Sequence, residues 1–169
     1  MTNDPHDDLY VSTEMESAVV QGDRDTFDKL LDETELTHRS ANGSTLLHKA
    51  TIVGQTEIAS ELIDAGIHID AQDNEKKTAL HFAIDLEHWD LVELLIKNGA
   101  DPNTHDINGN SPLMPAIRNA TENKTYIRLL LENGADPSLP NDTGETPLDK
   151  MRSVGYTKMV ELLEKYAEE

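Results

Sequence analysis

The sequence predicts an all-α solenoid, built of stacked helix-turn-helix units with short finger-like β-turns between them. Two periodic series, and the apolar spacing inside each period, carry that expectation. Four segments align: S-T-L-L-H-K-A from Ser44, K-T-A-L-H-F-A from Lys77, N-S-P-L-M-P-A from Asn110 and E-T-P-L-D-K-M from Glu145. Their hydroxyl residues, Thr45, Thr78, Ser111 and Thr146, are spaced by 33, 33 and 35 residues. Independently, Gly66, Gly99 and Gly134 each close an apolar run and lie 33 and 35 residues apart. Both series place the same two-residue insertion between Ser111 and Gly134, a coincidence that a true repeat explains and chance does not.

The physics of one period reads as two short helices and a turn. Thr78 can cap a helix starting near Ala79, its hydroxyl accepting from the unpaired amides of the first turn. Leu80, Ala83 and Ile84 then share one face at helical spacing. After a break at Glu87-His88, the run Leu91, Val92, Leu94, Leu95, Ile96 gives a second, more apolar helix. Gly99 ends it, as glycine does where the chain turns into the left-handed region. Asp101-Pro102-Asn103 leads to a polar turn around Asp106-Ile107-Asn108-Gly109, the expected finger tip. No such unit can bury both its helices alone, so stability must come from stacking on neighbours.

These motifs resemble the ankyrin repeat family, whose unit is about 33 residues with a T-P-L-H-x-A signature. The resemblance covers nearly the whole chain and implies units at 13–39, 40–72, 73–105, 106–140 and 141–169. The first is degenerate, with Thr13 in place of the motif threonine and Gly22-Asp23 at the interhelical position. Residues 1–12 fit no unit and are expected to form a flexible acidic tail. Lys29 and the closing Glu164-Lys165-Tyr166-Ala167-Glu168-Glu169 give the terminal units polar outer faces. Three departures stand out. Glu87 replaces the interhelical glycine kept at Gly54 and Gly155, so that turn is expected to be altered. Pro115 falls in a first helix after Met114 has replaced the motif histidine, which removes one amide bond and predicts a short or kinked helix. A longer loop follows at 120–125.

Composition narrows the function. The 169 residues carry 33 acids against 14 bases, a formal charge of −19, with no cysteine. Disulfide scaffolds, thiolate nucleophiles and sulfur-ligated metals are therefore excluded. The net charge and the lack of a basic patch argue against nucleic acid as a partner. Apolar runs fall far short of the ~20 residues that cross a bilayer, and the acidic N-terminus does not read as a signal peptide. The expectation is a cytosolic protein. Seven histidines would have to carry any metal-dependent chemistry. His48 and His81, however, occupy the motif position from which, by resemblance, the histidine bonds to the motif hydroxyl and a neighbouring loop. His68 and His105 lie in turns without a second histidine at ligand spacing. No catalytic, cofactor or metal site is expected, and a metal-dependent enzyme is the weakest alternative.

The resemblance implies a protein-binding surface at the finger tips and late in each first helix. Those positions are Asn42 and Ser44 with Ile52 and Val53; Asn74, Glu75 and Lys77 with Asp85 and Leu86; Ile107, Asn108 and Asn110 with Arg118 and Asn119; and Asp142 and Glu145. Trp89, the only tryptophan, is added because tryptophan is enriched at binding hot spots. Charge is uneven: −8 over residues 1–43, −4 over 44–76 and again over 77–109, then −1 over 110–143 and −2 over 144–169. The acidity reads either as a solvated surface that serves solubility or a salty habitat, or as steering of a basic partner protein, the reading to which the asymmetry adds weight. An acidic inhibitor fits it, such as an immunity protein that occludes a toxin nuclease and is a monomer when free. The alternative is an adaptor that recruits its partner through Ile52, Val53, Leu86 and Ile107 without inhibiting it.

Overall fold

The computed structural model describes residues 5–32, 35–118 and 124–167. Ten helices follow one another among them: α1 Pro5–Gln21, α2 Arg24–Leu30, α3 Leu46–Ile52, α4 Thr56–Asp64, α5 Ala79–Asp85, α6 Trp89–Lys97, α7 Leu113–Arg118, α8 Lys124–Glu132, α9 Pro147–Ser153 and α10 Thr157–Ala167. Each odd-numbered helix packs on the even one that follows. The first helices α1, α3, α5, α7 and α9 stack in one layer, and α4, α6 and α8 stack in a second. The described residues contain no strand.

At Thr45 and Thr146 the motif hydroxyl does what its position requires, whereas the Ser111 hydroxyl finds no partner. Thr45 caps α3, its Oγ1 accepting from the His48 amide at 3.4 Å, and Thr146 caps α9 by accepting from Asp149 at 3.0 Å. A cap of this kind contributes about 1 kcal/mol. Between the layers the apolar faces fuse into one continuous core. Leu47, Ile58 and Leu62 bury in the second unit, Leu80, Ile84, Leu91 and Leu95 in the third, and Leu113, Ile127 and Leu130 in the fourth. Lys29 is exposed beside buried Phe27 and Leu30, which keeps the outer side of the first pair polar.

Three expectations are corrected or refined. The helix of the first unit does not begin near Thr13 but at Pro5, so most of the segment expected to be a tail is helical. Proline suits a first helical position because its φ is already helical and its missing amide would have no partner there. The turn at Glu87 is not altered: its φ of +57° repeats the +69°, +76° and +71° of Gly22, Gly54 and Gly155. Glu87 thus takes the left-handed backbone that the first, second and fifth units reach through glycine, at a cost of roughly 1–2 kcal/mol. Pro115 does remove an amide bond, and the lost bond can be identified. In the other motif units the fourth residue after the hydroxyl donates to the hydroxyl residue's carbonyl, as Lys49 does to Thr45 and Lys150 to Thr146. Here Met114 donates to the Ser111 carbonyl instead, at 3.0 Å, and α7 starts one residue late without a break inside it. The loop expected at 120–125 lies mostly outside the described residues.

Candidate protein-binding surface

The fingers are organised from their first residue. Asp73 Oδ1 accepts from the amides of Glu75 and Lys77 at 2.8 and 2.9 Å. Asp106 Oδ1 does the same for Asn108 and Asn110, at the same two distances. Asn141 Oδ1 accepts from Thr143 and Glu145, both at 3.0 Å. Burial alone would raise the Asp106 carboxyl, but the Asn110 and Asn108 amides outweigh it and hold the group below its ordinary value. Neighbouring tips are then joined through the backbone: Asn74 donates to the Asn42 carbonyl, Ile107 to Glu75 and Asp142 to Asn108, at 2.8 to 3.0 Å. The approach is close enough that a Cβ on Gly109 would stand 2.6 Å from the Asp142 amide nitrogen.

Beneath the tips two histidines cross-link units. The Thr45 amide donates to His48 Nδ1 at 3.1 Å, and His48 Nε2 meets the Lys77 carbonyl at 2.9 Å. His81 repeats this with the Thr78 amide at 3.2 Å and the Asn110 carbonyl at 3.3 Å. An amide can only donate and a carbonyl only accept, so both rings are neutral with the proton on Nε2. Burial pushes both imidazoles below the ordinary 6.5, with only partial compensation from those carbonyls. Both ring nitrogens are thereby committed to structure.

Most of the sequence-derived contact positions face solvent. Asn42, Asn74, Glu75, Asp85, Asn108, Arg118 and Asp142 are exposed. So are the apolar Ile52, Val53, Leu86 and Ile107, at 39, 39, 44 and 53%. Lys77 is half-buried and paired to Asp85 at 2.9 Å. Glu145 is half-buried and paired to Lys150 at 3.3 Å. Asn110 is half-buried and bonds Asp106 and Asn141. Ser44 leaves the contact set, because it is only 2% exposed and its backbone and the Ser40 hydroxyl close the finger over it. Asn119 lies outside the described residues. Trp89 sits apart from the fingers, at the start of α6, half-buried and stacked on Tyr126 with ring centroids 4.3 Å apart.

The sequence reading missed the residues that shape the fingers: Asp73, Asp106 and Asn141, and a ladder in which Arg39 donates to the Gln72 carbonyl and Gln72 to the His105 carbonyl, each at 2.8 Å. The signal was present as a polar residue recurring in register. Asp70 likewise occupies the place of Asn103, each accepting the amide of the next unit's aspartate, Asp101 or Asp136, at 2.9 Å. Among the described residues no three histidine or acidic side chains converge on a metal position, and no helix is long and apolar enough to cross a membrane.

Comparison with known proteins agrees with this geometry. The family model for ankyrin repeats (3 copies) matches residues 15–106 and again 87–169. An ankyrin repeat protein of fowlpox virus is 38% identical over 77 residues, 45% of this chain and 18% of the relative. An ankyrin repeat-containing protein of Schizosaccharomyces pombe is 35% identical over 60 residues, 36% of this chain and 29% of the relative. The Neurogenic locus Notch protein of Drosophila melanogaster is 35% identical over 83 residues, 47% of this chain and 3% of the relative. This chain therefore spans less than a third of each of these relatives. The period, the hydroxyl caps, the histidine cross-links and the family model agree, and the chain belongs to the ankyrin repeat family.

Proposed function

Ankyrin repeats build protein-interaction modules, and we propose that this one is non-catalytic, monomeric when free, and binds a basic partner protein in the cytosol. The finger tips and the last turns of the first helices form the contact surface, and binding inhibits by occlusion. An immunity-type protein whose acids fill the phosphate groove of a toxin nuclease is the specific form proposed. The carrying observation is the placement of acids: Glu75 and Asp142 stand exposed on the tips without an ion-pair partner among the described residues. They lie within a chain of net charge −19. Lys77 and Lys150, in contrast, are spent on Asp85 and Glu145.

The test is kinetic, using purified basic nucleases as probes. The chain should bind one of them and suppress its activity, with an association rate that falls as salt rises. Replacing Glu75→Lys and Asp142→Lys together should slow association about tenfold at low salt and much less at high salt. Equal rates for both chains at low salt would remove steering from the account. The exposed Ile52, Val53, Leu86 and Ile107 favour a second reading, the adaptor, which predicts salt-indifferent binding without inhibition.

A further inference from the structure

Away from the fingers, at the interhelical edge, Trp89 and Tyr126 lie nearly parallel, with an interplanar angle of 10°. The pair borders an open groove of about 360 Å³ shared by Gly54, Thr56, Glu87, Trp89, Asp90 and Tyr126. Its aromatic wall is flanked by two exposed carboxylates, Glu87 and Asp90, and neither is ion-paired among the described residues. Glu87 carries its carboxylate on a left-handed backbone where the equivalent turns at Gly22, Gly54 and Gly155 use glycine, so the acid is kept at an energetic cost. The same edge already shows a cation on an aromatic ring one unit further on, where Lys124 Nζ lies 5.4 Å from the Tyr156 ring centroid. Lys124 is the repeat equivalent of Trp89. Around Trp89 the chain supplies the ring and the acids, and no described lysine or arginine occupies the ring.

We propose that this groove is a second binding site, which takes an arginine side chain of a basic partner protein. A guanidinium is planar and weakly hydrated, so it stacks on an indole while its fork of N–H donors reaches carboxylates at the rim. The Tyr126 ring behind Trp89 holds the indole in place, so little side-chain freedom is lost on binding. The basic partner is shared with the preceding reading, but the groove lies on a different edge and is testable without the fingers.

Because Trp89 is the sole tryptophan, its fluorescence reports the groove directly. The probe is a capped hexa-arginine peptide, titrated at moderate salt. A saturable change in Trp89 emission is expected, weakened about tenfold or more by Glu87→Gln with Asp90→Asn. Glu87→Gly with Asp90→Asn should weaken binding equally while stabilising the turn, which separates loss of the site from loss of fold. Asp64→Asn with Glu161→Gln removes the same charge elsewhere, and Glu75→Gln with Asp142→Asn removes it from the fingers. Both should stay within about twofold of the parent chain. An unresponsive Trp89, or equal weakening by all four pairs, would overturn the site and leave the finger-tip reading untouched.

Discussion

The joint between the third and fourth units and the joint between the fourth and fifth are built differently. At the first, His81 ties its own threonine amide to the Asn110 carbonyl of the next unit. At the second, Met114 stands in the histidine's place and the Ser111 hydroxyl is buried without a partner. Yet the finger bond survives there, Asp142 donating to Asn108 at 3.0 Å, and Asn141 Nδ2 reaches Asn110 Oδ1 at 3.1 Å. The difference teaches that the backbone ladder sets the stacking geometry, whereas the histidine adds stability to a joint that can form without it.

Removing the cross-link where it exists should have the largest effect. His81→Ala leaves the Thr78 amide without its ring acceptor, takes one of two donors from the half-buried Asn110 carbonyl and opens a cavity, and should cost about 3 kcal/mol in urea unfolding. His48→Ala should behave alike. The same two residues set the acid response. Their folded pKa values lie below the ordinary 6.5, so the unfolded chain binds more protons and stability is complete above pH 6.5. It falls as pH drops through the folded values. The urea midpoint should decline between pH 7 and pH 5, and the decline should flatten in the His48→Ala, His81→Ala double variant. Asp106, also held low, acts in a separate window below the ordinary carboxylate range.

Installing the missing link sharpens the comparison from the other side. Met114→His would give the Ser111 hydroxyl a partner and the Glu145 carbonyl a second donor beside the Asn141 amide, and should raise stability by about 1 kcal/mol. A loss instead would show that Met114 packing outweighs the bond. The smallest effects belong to the two non-glycine residues with left-handed backbone among the described residues, Lys76 at +56° and Glu87 at +57°, both in the third unit. Replacing either by glycine should stabilise by about 0.5–1 kcal/mol, read as a raised urea midpoint at constant slope.

The repeat was legible because its markers serve local chemistry: a hydroxyl caps a helix, as Thr45 and Thr146 do, and a glycine ends one. Glu87 misled because sequence reports the side chain, whereas the turn is enforced by the two packed helices on either side. Proline at position 5 signalled a helix start, but the acidic run behind it read more naturally as solvated chain. The Trp89–Tyr126 stack was hidden for another reason. The two-residue insertion makes Lys124, not Tyr126, the counterpart of Trp89, so the pairing appears only when adjacent units are stacked. Ser44 shows the converse limit, since position next to the motif threonine says nothing about which way a finger folds.

The finger ladder has a sense of direction. Every backbone bond between tips runs from the amide of a later tip to the carbonyl of an earlier one, opposite to the side-chain run from Arg39 through Gln72 to His105, so the backbone edge is polar in the way a strand is, with donors facing one terminus and acceptors the other. A copy of residues 73–105 inserted in frame after His105 would meet a matching donor and acceptor on its two sides, whereas a unit placed in reverse order would not. The array is therefore a one-way track, along which units can be added or removed only in register and only in one orientation.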